Sequence, residues 1–299
     1  MKKLLSLLLL AAVSFSANAK DKKLVIIAGN MSHPPLMHEF RAGCLILEKC
    51  LQNVEGLTVE LHTNHWVSNE ATLEDADAIF IYSDGKVRHP VAQGDHLKTL
   101  TRLMNQGVSL GCAHYGVEVV PEQAGKEFKK WIGGHYENGF SVNPMWKPDF
   151  KKFPKHPVTR GVKPFAVTDE WYFNMRFREG MRGVTPILVG TPSDDVRDGP
   201  YVYPKGPYPH IEAAGGRKET MMWCVERPDG GRGLGFTGGH YHLNWGDPNF
   251  RKVVLNGMLW LAGVEVPKNG VKSKVTEDEL YRNLDPKKGL AEILFNRKK

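Results

Sequence analysis

The chain has 299 residues, 41% of them hydrophobic, enough to bury a full core as one large or two modest domains. Its formal charge is +7, but the basic residues are scattered among acidic ones apart from Lys129-Lys130, Lys151-Lys152 and Arg297-Lys298-Lys299. Such spacing describes solvated faces and argues against a nucleic-acid groove. No internal repeat is present.

Met1 to Ala19 has the layout of a secretory signal peptide, with Lys2 and Lys3, the apolar run Leu4 to Val13, and Ala17-Asn18-Ala19 as the cleavage site. That run is too short to span a bilayer. The expectation is a periplasmic or extracellular protein with no membrane anchor. Removing residues 1–19 takes two lysines and no acids, so the charge falls from +7 to +5. Cys44, Cys50, Cys112 and Cys224 are too few for disulfides to carry the fold, and none forms a Cys-x-x-Cys pair, so core thiols are expected.

Leu24 to Ala28 is a continuous apolar run ending at Gly29, the pattern of a buried parallel strand. The loop Asn30 to Pro35 leads into an expected helix opened by Pro35, with Leu36, Phe40, Cys44, Leu47 and Leu51 at helical spacing. Thr58–Leu61 and Ala78–Tyr82 read as the next strands, the latter ending in Ser83-Asp84-Gly85, and Asp95–Asn105 as a helix closed by Gln106-Gly107. Gly107 to Gly116 then reads as a strand ending abruptly at His114, with small residues Cys112 and Gly116 two positions either side. This is the shape of a nucleophile elbow with His114 at its apex, followed by a helix-compatible segment from Val117.

From Trp131 to Asp149 the chain is irregular and rich in Gly, Asn, Pro and aromatics, a composition more often functional than disordered. Phe165–Phe173 reads as strand-like and contains Asp169 and Glu170; Pro186–Gly190 is strand-like, and Asp194–Gly216 a Pro/Gly-rich excursion. Thr220–Glu226 and Gly233–Thr237 form a strand pair, and Phe250–Ala262 an amphipathic helix. The expected organisation is a signal peptide at 1–19, one α/β domain at 20–266 and a polar tail at 267–299.

The elbow, Asp169-Glu170-Trp171-Tyr172, Gly238-Gly239-His240 and the closing helix Asn256 to Gly263 occur in this order, and with them the chain resembles the ThuA-like (trehalose-utilisation) family up to about Val266. The resemblance implies a flavodoxin-like three-layer α/β fold with a mainly parallel sheet, class I glutamine amidotransferase-like. It also implies a link to bacterial carbohydrate metabolism, with oxidised (keto) disaccharides as one candidate substrate. Amidotransferases require a cysteine at the elbow apex, because a thiolate carries the acyl group. His114 stands there, and Cys112 is flanked two residues away by Leu110 and His114 instead of small residues, so glutamine amidotransferase activity is not expected.

Twelve histidines are many for this length. His33, His38, His114, His240 and His242 all fall at or just past expected carboxyl ends of strands, the edge where α/β sheets bind ligands. His240 and His242, two apart in an extended segment, would face one side. With His33, His38 or His114 and a carboxylate from Glu39, Asp169 or Glu170 they could complete a site for zinc or another divalent ion. Without metal, the same residues offer His114 as general acid or base, Glu170 or Asp169 as its partner and His240 as hydrogen-bond donor. Tyr115, Trp146, Tyr172 and Trp245 could stack on sugar rings, and Asn138, Asn143, Arg176 and Asn244 could bond hydroxyls. The expected partner is therefore a small carbohydrate, handled by a hydrolase or lyase. The alternatives are a non-catalytic carbohydrate-binding or scaffold module and a metal-dependent amide or ester hydrolase.

Overall fold

A computed structural model describes residues 21–297; the expected signal segment at 1–19 lies outside them. Seven strands build the central sheet: β1 (Lys22–Ala28), β2 (Leu57–His62), β3 (Ala78–Tyr82), β4 (Ser109–Ala113), β5 (Val184–Gly190), β6 (Glu219–Glu226) and β7 (Arg232–Phe236). Their spatial order is β2-β1-β3-β4-β7-β6-β5. The pairs β1–β2, β1–β3, β3–β4 and β4–β7 are parallel, whereas β6 runs antiparallel to both β7 and β5.

The first four strands follow the order of flavodoxin-like sheets, whose ligand crevice opens where the winding reverses, between β1 and β3. Along β1, successive residues serve opposite faces. Leu24, Ile26 and Ala28 join one core with α1 (Phe40–Leu51) and α4 (Pro248–Ala262). Val25 and Ile27 join the other with α2 (His96–Asn105) and α3 (Lys126–Trp131). Both faces of the sheet are thus covered, which is why its strands read as unbroken apolar runs. The cysteines are unpaired, with Cys44, Cys112 and Cys224 buried.

Two expectations are corrected. Pro35 does not open a helix, which begins only at Phe40. The preceding residues instead form a loop in which His33, Leu36 and His38 all have positive φ. This loop pairs with the segment after β7: Met37 bridges Tyr241, His38 N–H donates to the His240 carbonyl at 3.0 Å, and His242 N–H donates to the Leu36 carbonyl at 2.9 Å. A cross-chain pairing over two hundred residues apart outweighs the local helical spacing. Nor is 165–173 one strand, since only Asp169–Glu170 forms a regular ladder, against Met145–Trp146.

After α4 the chain turns back over α1. Lys49 pairs with Glu279, and Arg41 donates to the Asn283 carbonyl at 3.0 Å. A further helix, α5 (Leu290–Arg297), ends the described chain.

Candidate metal centre

Every loop that leaves the carboxyl edge near the winding reversal delivers a polar side chain to one spot. His38 follows β1, Asp84 follows β3, His114 follows β4 and His240 follows β7, while Glu170 comes from the two-residue ladder with Met145–Trp146. His114 ends its strand with φ at 52°, the sharp turn expected of an elbow. The turn is tight at Gly116, where an added Cβ would lie 3.3 Å from the Ile81 carbonyl oxygen.

His38, His114, Glu170 and His240 are buried, and one ligand atom from each converges on a common centre. His38 Nε2 lies 3.0 Å from both His114 Nε2 and His240 Nδ1. Glu170 Oε2 lies 2.8 Å from His240 Nδ1 and 3.3 Å from His114 Nε2. These four separations are close to the spacing of about 3.3 Å that bonds of about 2.0 to 2.1 Å set between neighbouring ligands of one ion.

The ring protons decide what that centre can hold. His114 Nδ1 sits 3.0 Å from the Thr237 carbonyl, which only accepts, so this nitrogen carries the ring proton. His38 Nδ1 sits 3.1 Å from Asp84 Oδ1 and by the same reasoning carries its own. In the neutral rings both Nε2 atoms are therefore bare, and they face each other at 3.0 Å. Lone pairs at that distance repel unless a proton or a metal lies between them. A proton on His114 Nε2, directed at Glu170, relieves that contact, and so does a divalent ion at the common centre.

The shifts of the individual groups follow from burial and contacts. Burial alone would lower the His114 pKa, but the Glu170 carboxylate outweighs it and the net shift is upward. Burial, reinforced by His114 and His33, lowers His38 well below its usual range. Burial would raise Glu170, yet hydrogen bonds from His114 and His240 bring it down to about 2. An ionised carboxylate beside three imidazoles is a ligand set for a divalent ion once His114 gives up the proton it directs at Glu170.

A second layer orients these groups. Asp84 on His38 and the Thr237 carbonyl on His114 are the outer partners typical of metal-bound histidines. Asn143 donates to Glu170 Oε1 at 2.8 Å, and the Tyr172 hydroxyl lies 3.2 Å from His114 Nε2. His240 Nε2 has no partner among the described residues.

Residues 28–261 match the family described as trehalose utilisation, ThuA. The chain belongs to the ThuA family. A ThuA-like protein of Bacteroides uniformis shares its fold at 14% identity and a TM-score of 0.59, over 84% of this chain and 95% of that one. One from Parabacteroides merdae does so at 15% identity and 0.55, over 87% and 94%. No curated protein matches the sequence significantly. The carbohydrate-related role attached to the ThuA family thus rests on the family match, and the structural likeness concerns the fold.

In this ThuA chain the remaining expected site residues are distributed as follows. His33 stacks on His38 at 3.6 Å between ring centroids and, with 31% of its side chain exposed, lies at the mouth of the centre. Tyr115 stands edge-on to both rings. His242 turns away, bonding the Leu280 carbonyl at 2.9 Å, because the two residues flank a bridge to the 36–38 loop instead of continuing a strand. Asp169 does not touch the cluster: its oxygens accept from the backbone N–H groups of Glu170, Gly239 and His240 and from Asn244. Asn244 is thereby committed to Asp169. Glu39 likewise stands behind the loop and is not a ligand.

The expected stacking platforms are mostly core. Trp245 is fully buried against Tyr82 and Phe250, and Trp146 donates its indole N–H to the Trp171 carbonyl beneath the surface. Arg176 makes a two-pronged pair with Glu137 at 2.9 Å per contact. Of the eight residues expected to contact a sugar, Tyr115, Tyr172 and Asn143 border the centre. Asp84 was absent from the expected set although it sits at a strand's carboxyl end, the signal that marked the histidines.

Proposed function

We propose that this ThuA chain is an exported, metal-dependent carbohydrate-active enzyme, a hydrolase or lyase acting on a keto-glycoside. The observation that carries the reading is the convergence of His38, His114, His240 and Glu170, each 2.8 to 3.3 Å from two others of the group. A divalent ion bound there supplies Lewis-acid polarisation of a substrate oxygen.

The chain's own residues supply the rest. With Nδ1 in the cluster, His240 carries its proton on Nε2, an N–H buried without a partner. Leaving such a group unpaired costs about 1 to 3 kcal/mol, which a substrate carbonyl or hydroxyl oxygen would recover. His33, the exposed ring of the group, is placed to take the proton next to a keto carbonyl, after which the glycosidic oxygen leaves. The role first expected of His114 and Glu170 as free acid and base passes to His33, since both of the former point inward.

A second reading, a non-catalytic carbohydrate-binding module, is favoured by the burial of all four donors, each no more than 5% exposed. Four protein ligands around one ion are also the pattern of structural sites.

Elemental mass spectrometry of the protein beside His38→Ala and His240→Ala variants tests the metal. Near-stoichiometric metal in the wild type and little in either variant is expected; no metal in any would sink the reading. Turnover of 3-keto-disaccharides separates the two functions: product formation abolished in His33→Ala with metal retained is the enzyme's signature, and binding without product is the module's.

A further inference from the structure

The loop that carries His38 is held from behind by the last thirty residues of the chain, a stretch beyond the segment matched by the family. Lys287 is only 8% exposed. Its ammonium donates to the Met37 carbonyl at 2.6 Å and the His38 carbonyl at 3.3 Å, and pairs with Glu39 Oε1 at 3.1 Å. All three of its N–H bonds thus have an acceptor. Glu39, fully buried, also accepts from the Leu36 N–H at 2.9 Å and, through Oε2, from the Asp285 N–H at 2.9 Å.

Every one of these contacts falls on Leu36 to Glu39. Leu36 and His38 hold φ at 67° and 48°, a region that side-chain-bearing residues adopt only when their surroundings fix them. A buried ion pair is poor value for stability alone, since apolar groups of similar volume often do as well. What it supplies here is direction: it fixes the carbonyls on either side of the His38 Cα.

We propose that Lys287 is a positioning residue for the metal centre, acting through Glu39 and the Met37 and His38 carbonyls to hold His38 Nε2 toward His114 and His240. The inference rests on the metal reading above. It makes the C-terminal tail a functional part of the site, contacting neither metal nor substrate.

The test is cobalt(II) affinity of the full-length protein by chelator competition, with the visible spectrum of the loaded protein, for wild type, Lys287→Met, Lys287→Arg and Arg297→Ala. Arg297 pairs on the exposed surface with Glu277 and Asp278, so its variant loosens the tail without touching the loop. Lys287→Met should lose about tenfold to a hundredfold in affinity, the range seen for outer partners of metal ligands, with an altered ligand-field spectrum. Lys287→Arg should recover part of that loss, and Arg297→Ala should match wild type. Wild-type affinity and spectrum in a folded Lys287→Met would overturn the proposal while leaving the metal reading intact. If the wild type itself binds no cobalt, the metal reading falls and takes the proposal with it. Should Lys287→Met not fold, Glu39→Gln is read by the same two outcomes.

Discussion

Asp84 and Asp169 are both buried carboxylates near the cluster, and what their oxygens touch separates their roles. Asp169 is occupied by four N–H donors and shapes the loop that presents His240. Asp84 accepts from the His38 ring itself, which fixes its tautomer and makes Nε2 more basic. Asp84→Asn should therefore weaken metal binding by about tenfold to a hundredfold, measured by chelator competition, with the fold retained. Asp169→Ala should instead leave several buried N–H groups unpaired and lower the urea midpoint as well. The residue types were visible in the sequence because His38, His114, His240 and Glu170 all stand at strand ends or beside them. The partition between ligand and support was not, since it depends on which way each side chain turns after the chain closes.

At the level of elements, small residues in the strands set how closely the helices approach. A Cβ on Gly111, in the middle of β4, would fall 2.5 Å from Leu261 Cδ1 and 2.8 Å from Phe80 Cδ2. Leu261 belongs to α4, so this helix lies directly on the strand that ends at His114. Gly111→Val should cost about 1 to 3 kcal/mol by overpacking, read as a lower urea midpoint, and displace the elbow enough to reduce metal content. Strands and the long helices were legible within a few residues because both cores impose strong periodicity. The loop from His33 to His38 was not, because its apolar spacing mimics a helix while its conformation is dictated by pairing with 240–242.

Across the whole molecule, buried titrating groups outside the centre set opposing pH trends. His89 is fully buried and neutral, with Nε2 bonded to the Gly116 carbonyl and Nδ1 accepting from Val91 N–H, and burial lowers it to about 3. His242 is lowered by burial to about 4. The unfolded chain gains protons on both as pH falls through 6.5 while the folded chain does not, so stability is lost on acidification below 6.5. Glu118 acts the other way: burial raises it to about 7 from 4.5, so the folded state keeps a proton the unfolded state releases, and its contribution is lost as pH rises through that interval. Urea midpoints should fall from pH 6.5 to 4.5, and in a His89→Asn, His242→Asn background, which removes the histidine contribution, Glu118→Gln should flatten the remaining decline as pH rises from 5 to 7. The α/β class followed from the alternation of strands and helices. The strand order, with β7 inserted beside β4, did not, because nothing local records which edge a returning strand joins.

The pairing of residues 36–38 with 240–242 has a consequence for how the protein is made. His38 is among the first site residues to be synthesised, yet its neighbours arrive at positions 114, 170 and 240, and its supporting lysine at 287. No nascent fragment lacking the last tenth of the chain contains both halves of that grip. On the proposed metal reading, ion capture waits for residues 285–287, and a product that stops before them lacks the contacts that hold His38 even when its sheet has formed.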